Sequence, residues 1–141
     1  MTDSDSRHQL GIPEMDAQHH YLYRIFDRIE DAPTVSDREA TGRLLGELEN
    51  YLLFHFTSEE YFMRMYKAPE FAVHQTDHEQ AGDRVVKFID DFEHDRLNPQ
   101  QLRIFLTGWL MEHSETADER YAKFVRELRG RGQNAKPGTT A

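Results

Sequence analysis

Cysteine is absent from the 141 residues, which excludes disulfides, thiolate metal sites, iron–sulfur clusters and cysteine nucleophiles together. No apolar run approaches the roughly 18 residues that a membrane span requires. Basic residues are in deficit: Lys and Arg total 17 against 26 Asp and Glu, for a formal charge of −9. That balance argues against nucleic acid or an anionic membrane surface as a partner. The N-terminus, Met1-Thr2-Asp3-Ser4-Asp5-Ser6, lacks the basic and apolar regions of a signal peptide. One soluble, cytoplasmic domain is the expectation from this length and composition.

Proline is scarce too, and its placement is informative. Four of the five prolines, Pro13, Pro33, Pro69 and Pro99, fall where elements would begin or end, because proline is tolerated in a first helical turn and breaks an interior. They divide the chain into four segments, about 14–31, 37–67, 69–94 and 99–129, each with an apolar stripe at helical spacing. Ser36 with Glu39 three residues on has the capping-box pattern, and Asn98-Pro99 reads as an N-cap plus first-turn proline. Residues 1–9 and 130–141 read as flexible tails. Short connections make neighbouring helices antiparallel, so an all-α, up-down-up-down four-helix bundle over 10–129 is predicted.

What is abundant is histidine, eight in all. Polar residues interrupt each stripe: His19 in the first segment, His55 and Glu59 in the second, His74 and His78 in the third, His113 in the fourth. The pairs His55/Glu59 and His74/His78 are spaced i,i+4, so each projects from one face. A single core imidazole is usually structural. Five with a carboxylate would cost several kcal/mol in desolvation unless a metal compensated them. At about 1.5 Å of rise per residue, the antiparallel topology brings all these positions to one level of the bundle.

Asp118 is the expected second carboxylate, although it lies five residues beyond His113 and so about 140° round an ideal helix. The apolar stripe gives the solution. It runs through 102, 105/106, 109/110 and 113, then resumes at Tyr121, Ala122, Val125 and Leu128, in phase with 118 rather than 117. One residue inserted into the phase predicts a π-turn between 113 and 118. Glu112, Glu115 and Glu119 are then solvated-face charges. Asp16 is read as a helix N-cap or a support for a ligand, and Tyr121 as packing near the site. His8, His20 and His94 are expected in solvent, and Met63, Met65 and Met111 as core or surface filler.

Five imidazoles and two carboxylates are too many ligands for one zinc and too nitrogen-rich for calcium or magnesium. They suit iron, and also manganese, cobalt or copper. Two octahedral ions offer roughly twelve positions, of which these donors and one shared oxo or hydroxo bridge fill about eleven. One open position on a redox-active pair is suited to a single small ligand, dioxygen above all.

The segments Asp16-Ala17-Gln18-His19, His55-Phe56-Thr57-Ser58-Glu59-Glu60, His74-x3-His78 and His113-x4-Asp118-Glu119-Arg120-Tyr121 resemble the hemerythrin family, bacteriohemerythrins in particular, over about residues 10–125. The resemblance implies a non-heme di-iron site: His74, His78 and His113 on one iron, His19 and His55 on the other, Glu59 and Asp118 bridging with an oxo or hydroxo group. It also implies dioxygen at the two-histidine iron, in a dry pocket lined by Leu22, Phe56, Trp109 and Leu110. Ser114 departs from the pattern, since an aliphatic residue usually follows this histidine. Reversible oxygen carriage, storage or sensing is therefore expected, rather than catalysis, with an oxygen-consuming enzyme or a reductase as the protein partner. The competing readings are a di-iron oxidase, peroxidase or nitric oxide reductase, and a metal- or oxygen-responsive regulatory module. Against the enzyme, no Glu-x-x-His motif precedes any of the five histidines.

Overall fold

The computed structural model describes residues 9–31 and 37–134, with side chains through 131. It consists of α1 (Pro13–Arg28), α2 (Arg38–Met65), α3 (Phe71–Glu93) and α4 (Pro99–His113), which passes through a π-turn (Ser114–Asp118) into α5 (Glu119–Asn134). The last two are arms of one continuous rod, so the molecule is a four-helix bundle, with no strand among the described residues. No helix is long and apolar enough to cross a membrane.

Helix starts follow local chemistry. Asn98 Oδ1 accepts from Gln101 N (3.2 Å) with Pro99 in the first turn. The cap of α2 is Asp37, whose Oδ1 accepts from the backbone N–H groups of Glu39 and Ala40; the expected Ser36 cap lies outside the described residues. Asp16 neither caps α1 nor supports a histidine. From the first turn it reaches back to accept from Leu10 N (2.8 Å) and Gly11 N (3.0 Å). Gly11 permits that turn with φ +80°.

Two helices stop without glycine. Lys67 and Asp95 adopt left-handed φ of 57° and 59° just past the caps of α2 and α3. Ala68 N then bonds Met63 O (2.8 Å), and Arg96 N bonds Asp91 O (2.7 Å), both in the Schellman pattern. Sharp reversals therefore follow at Pro69 and Pro99. The final helix continues through Gly130 and Gly132 to Asn134, beyond residue 129, because its i→i+4 ladder tolerates the glycines. Of the expected tails, 1–9 and 130–141, residues 1–8 and 135–141 lie outside the described residues.

The helices neighbour one another cyclically: α1 packs on α2 and α4, and α3 packs on α2 and α4. Apolar residues form two clusters. The larger includes Leu22, Phe26, Leu48, Leu52, Val85, Leu106 and Leu110. The smaller, at the bundle end where the chain enters, includes Leu10, Met15, Met63, Tyr121 and Val125. Between these two dry layers lies a polar one.

Candidate metal centre

Seven ionisable side chains make up that layer. His19, His55, Glu59, His74, His78, His113 and Asp118 are each at most 3% exposed. Glu59 turns Oε2 toward His55 Nε2 (3.0 Å) and His19 Nε2 (3.3 Å), and Oε1 toward His74 Nε2 (3.0 Å) and His78 Nε2 (3.1 Å). Asp118 does the same: Oδ2 lies 3.2 Å from His19 Nε2, while Oδ1 lies 2.9 Å from His74 Nε2 and 3.2 Å from His113 Nε2. Each carboxylate thus presents one oxygen to His19 or His55 and the other to the group His74, His78 and His113. The donor atoms of Glu59, His74, His78 and His113 lie within 4.8 Å of one another, as do those of His19, His55 and Glu59.

Asp118 reaches this layer because of the π-turn. The N–H of Glu119 bonds Ser114 O, an i→i+5 step, and the wider turn brings residue 118 onto the face of His113. The Thr116 hydroxyl donates to Glu112 O (2.7 Å) beside the turn, occupying a carbonyl where the regular ladder is interrupted. Glu112 and Glu115 are exposed and Glu119 is half-buried against Arg126, so the competing carboxylates stay out of the layer.

A second ring of contacts holds the imidazoles from outside. His55 Nδ1 meets Gln18 Oε1 (2.7 Å), His78 Nδ1 meets Glu60 Oε2 (2.7 Å), and His113 Nδ1 meets Asp77 Oδ2 (2.8 Å). Ser114 Oγ lies 3.4 Å from His19 Nδ1. These contacts run around the bundle, with α1 supporting α2, α2 supporting α3, α3 supporting α4, and the π-turn closing on α1. Oxygen acceptors at Nδ1 fix the proton there and leave the Nε2 lone pairs of His55, His78 and His113 facing inward, as metal ligation demands. Sequence reasoning missed Gln18, Glu60 and Asp77 as supports. Each is the chain neighbour of a core residue, but each serves a histidine on the next helix, which only the packing reveals.

The donor set fits a pair of cations. Buried lone pairs converge on one another, and His55 Nε2 and both Asp118 oxygens have no hydrogen bond of acceptable geometry. A carboxylate fully removed from water needs a positive partner. Protons supply it in the metal-free chain. Burial opposes the imidazolium of His19 and of His74, yet the close approach of the Asp118 and Glu59 carboxylates and their negative charges outweigh it, raising both from the usual 6.5 to about 10. Burial likewise opposes the Glu59 and Asp118 carboxylates, and for Asp118 so does the neighbouring Glu59 charge. The surrounding histidines overcome this and hold both groups below their ordinary values.

A pH dependence follows. Raised histidine values stabilise the metal-free fold fully below the unfolded value of 6.5, and that contribution is lost as pH climbs through about 10. The depressed carboxylates contribute above their ordinary values, 4.5 for Glu59 and 3.8 for Asp118, and lose that on acidification. Chelator-treated protein is therefore expected to melt highest between about pH 4.5 and 6.5 and to soften on the alkaline side. Metal-loaded protein, in which cations replace those protons, should not soften there. Calorimetric melts across pH check this; a flat alkaline limb for the metal-free chain would contradict it.

The surroundings are apolar, with one revision. Leu22 and Leu110 are fully buried in the larger cluster with Phe56. Phe56 lies flat on His78 (ring centroids 4.1 Å, 10°) and the half-buried Trp109 flat on His113 (4.5 Å, 12°), whereas Phe56 meets His55 only obliquely at 5.8 Å. These two rings therefore pack on the three-histidine half rather than only over the two-histidine half, because each sits one turn or one helix from its imidazole. Ser114 is the expected pocket residue that touches His19 directly. Tyr121 is buried beside Glu59 and lines a cleft with it; burial first, then Tyr66 and Glu59, push its hydroxyl up to about 12. Met63 is core, Met65 and Met111 are exposed, and His94 is exposed as expected. His20 is half-buried and engaged rather than free in solvent, and His8 lies outside the described residues.

Residues 10–125 match the family described as hemerythrin HHE cation binding domain. The bacteriohemerythrin of Stenotrophomonas maltophilia (strain R551-3) is 30% identical over 117 residues, covering 83% of this chain and 76% of that protein. That of Methylococcus capsulatus (strain ATCC 33009 / NCIMB 11132 / Bath) is 27% identical over 112 residues, covering 75% and 82%. A wild-type hemerythrin crystal structure superposes with a TM-score of 0.79 at 23% identity, covering 87% of this chain and 95% of that one, and supports the fold. Members of this family bind dioxygen at a di-iron centre, and the histidine and carboxylate layer described above could hold such metals. With its matched residues, its bundle and its buried donor layer, the chain belongs to the hemerythrin family.

Proposed function

We propose that this protein holds two iron ions and binds dioxygen reversibly, for carriage, storage or sensing, in the cytoplasm. His74, His78 and His113 would hold one iron and His19 and His55 the other, with Glu59, Asp118 and an oxo or hydroxo group bridging. The observation that carries this reading is the division of each carboxylate: one oxygen of Glu59 and of Asp118 faces the three-histidine group, and the other faces the two-histidine group. Three nitrogens against two would leave the open ligand position beside His19 and His55. A bound ferrous pair supplies the two electrons that hold dioxygen without an external reductant.

The chain's own residues do the rest. Gln18, Glu60 and Asp77 orient the imidazoles through Nδ1. Leu22 and Leu110 keep water out of the layer, and Phe56 and Trp109 brace the opposite imidazoles. Partners of this reading are dioxygen and an oxygen-consuming enzyme or a reductase, with no nucleic acid. Optical titration of reduced, iron-loaded protein with oxygen, followed by an argon purge, tests it. Visible charge-transfer bands should appear and then vanish on purging; prompt, irreversible conversion to the ferric spectrum would favour a redox enzyme instead.

Ser114 sets the expected lifetime of the oxygenated state. Its hydroxyl, 2% exposed and 3.4 Å from His19 Nδ1, places a proton donor in an otherwise apolar wall and gives water a partner. Ser114→Ile is expected to slow autoxidation several-fold, read as the decay of the oxygenated spectrum in air. Equal decay in the two proteins would remove the hydroxyl from this role.

A further inference from the structure

A cleft of about 160 Å³ opens at the bundle end beside the donor layer, separate from the pocket of Leu22 and Leu110. Met15, Phe62 and Val125 form apolar walls, Ser58 and Tyr121 bring hydroxyls, and the exposed Glu14 and Arg129 bring opposite charges. The volume is that of a single six-membered ring; an engineered apolar cavity of about 150 Å³ holds benzene. Most of its exposed wall is apolar, and displacing loosely held water by an apolar group gains affinity. Ser58 Oγ already accepts from Gln18 Nε2 (3.3 Å), and Tyr121 adds a second hydroxyl to the lining, so the cleft favours a ligand that forms a hydrogen bond over a purely apolar one.

We propose that this cleft is a binding site for a small phenol-class molecule, its ring between Phe62 and Val125 and its hydroxyl toward Ser58 and Tyr121. A molecule seated there lies against the carboxylate that spans the two histidine groups and next to the Gln18–Ser58 pair that supports His55. This site does not depend on whether the centre binds oxygen reversibly.

The test is calorimetric titration of the purified, iron-loaded protein with phenol and benzene. Phenol should bind one per chain, about tenfold tighter than benzene, the worth of one hydrogen bond. Tyr121→Phe should bring phenol to within about twofold of benzene. Glu14→Trp, at an exposed position on the cleft's mouth, leaves the core untouched and should weaken phenol by about tenfold or more, as should Val125→Trp, which fills the cleft. Absence of saturable phenol binding up to about 10 mM, where a ligand of this size should register, would overturn the proposal. So would binding indifferent to both tryptophan variants, or phenol binding no tighter than benzene. Oxygen titration of the same preparation reports separately on the proposed function.

Discussion

Glu59→Ala protein is expected to purify with less than one iron per chain and without visible charge-transfer absorption. Glu59 is the point where four of the five imidazoles meet: His19, His55, His74 and His78 all lie 3.0–3.3 Å from its two oxygens. Removing it takes away a shared bridging ligand and one of the two carboxylates that balance positive charge in a layer at most 3% exposed. Breaking a buried charge pair from one side costs about 3–5 kcal/mol, which converts to a loss of metal affinity of about two to three and a half orders of magnitude. Metal analysis and melts of the same samples separate metal loss from unfolding. Glu112→Ala and Glu115→Ala, both exposed and off the layer, should keep about two irons per chain. Two irons retained in Glu59→Ala would move the bridging role elsewhere.

Two single-residue deletions in the last helix are expected to have opposite outcomes. Deleting Gly108, in the regular part of α4, turns everything beyond it by about 100° relative to Leu102 and Leu106. His113, Asp118 and Val125 would swing off the core face together, so loss of the cooperative melt and of all iron is expected. Deleting exposed Glu115, inside the π-turn, removes the inserted residue. The i→i+4 ladder then closes, and the carboxylate now at 118 stands four residues from His113, about 40° round the helix. Tyr121, Ala122 and Val125 stay in phase with the core, so the melt should survive within a few degrees. Circular dichroism and melting curves of the two proteins decide it. Equal collapse of both would show that the π-turn is needed for the fold itself.

Much of this was legible because burial is written in periodicity. The stripes of α2 and α3 carry His55 with Glu59 and His74 with His78 at i,i+4, and such pairs must share a face in any helix. Even the π-turn showed, since the apolar phase slips by one residue between His113 and Tyr121. Less legible were features that depend on where a side chain reaches across a gap. Asp16 has the composition of a cap but turns back on Leu10 and Gly11. Lys67 and Asp95 terminate helices in left-handed conformations that glycine usually signals.

Residue type and spacing by themselves determined the four helices, the level at which their polar residues meet, and the seven donors of the layer. Intrahelical geometry alone settles which residues share a face. Tertiary structure decided the sides: Phe56 and Trp109 on the three-histidine half, Gln18, Glu60 and Asp77 each serving a neighbouring helix, and a ring-sized cleft between Phe62, Tyr121 and Val125. Those outcomes depend on the rotation of each helix about its axis and on the packing between helices, which no single helix encodes.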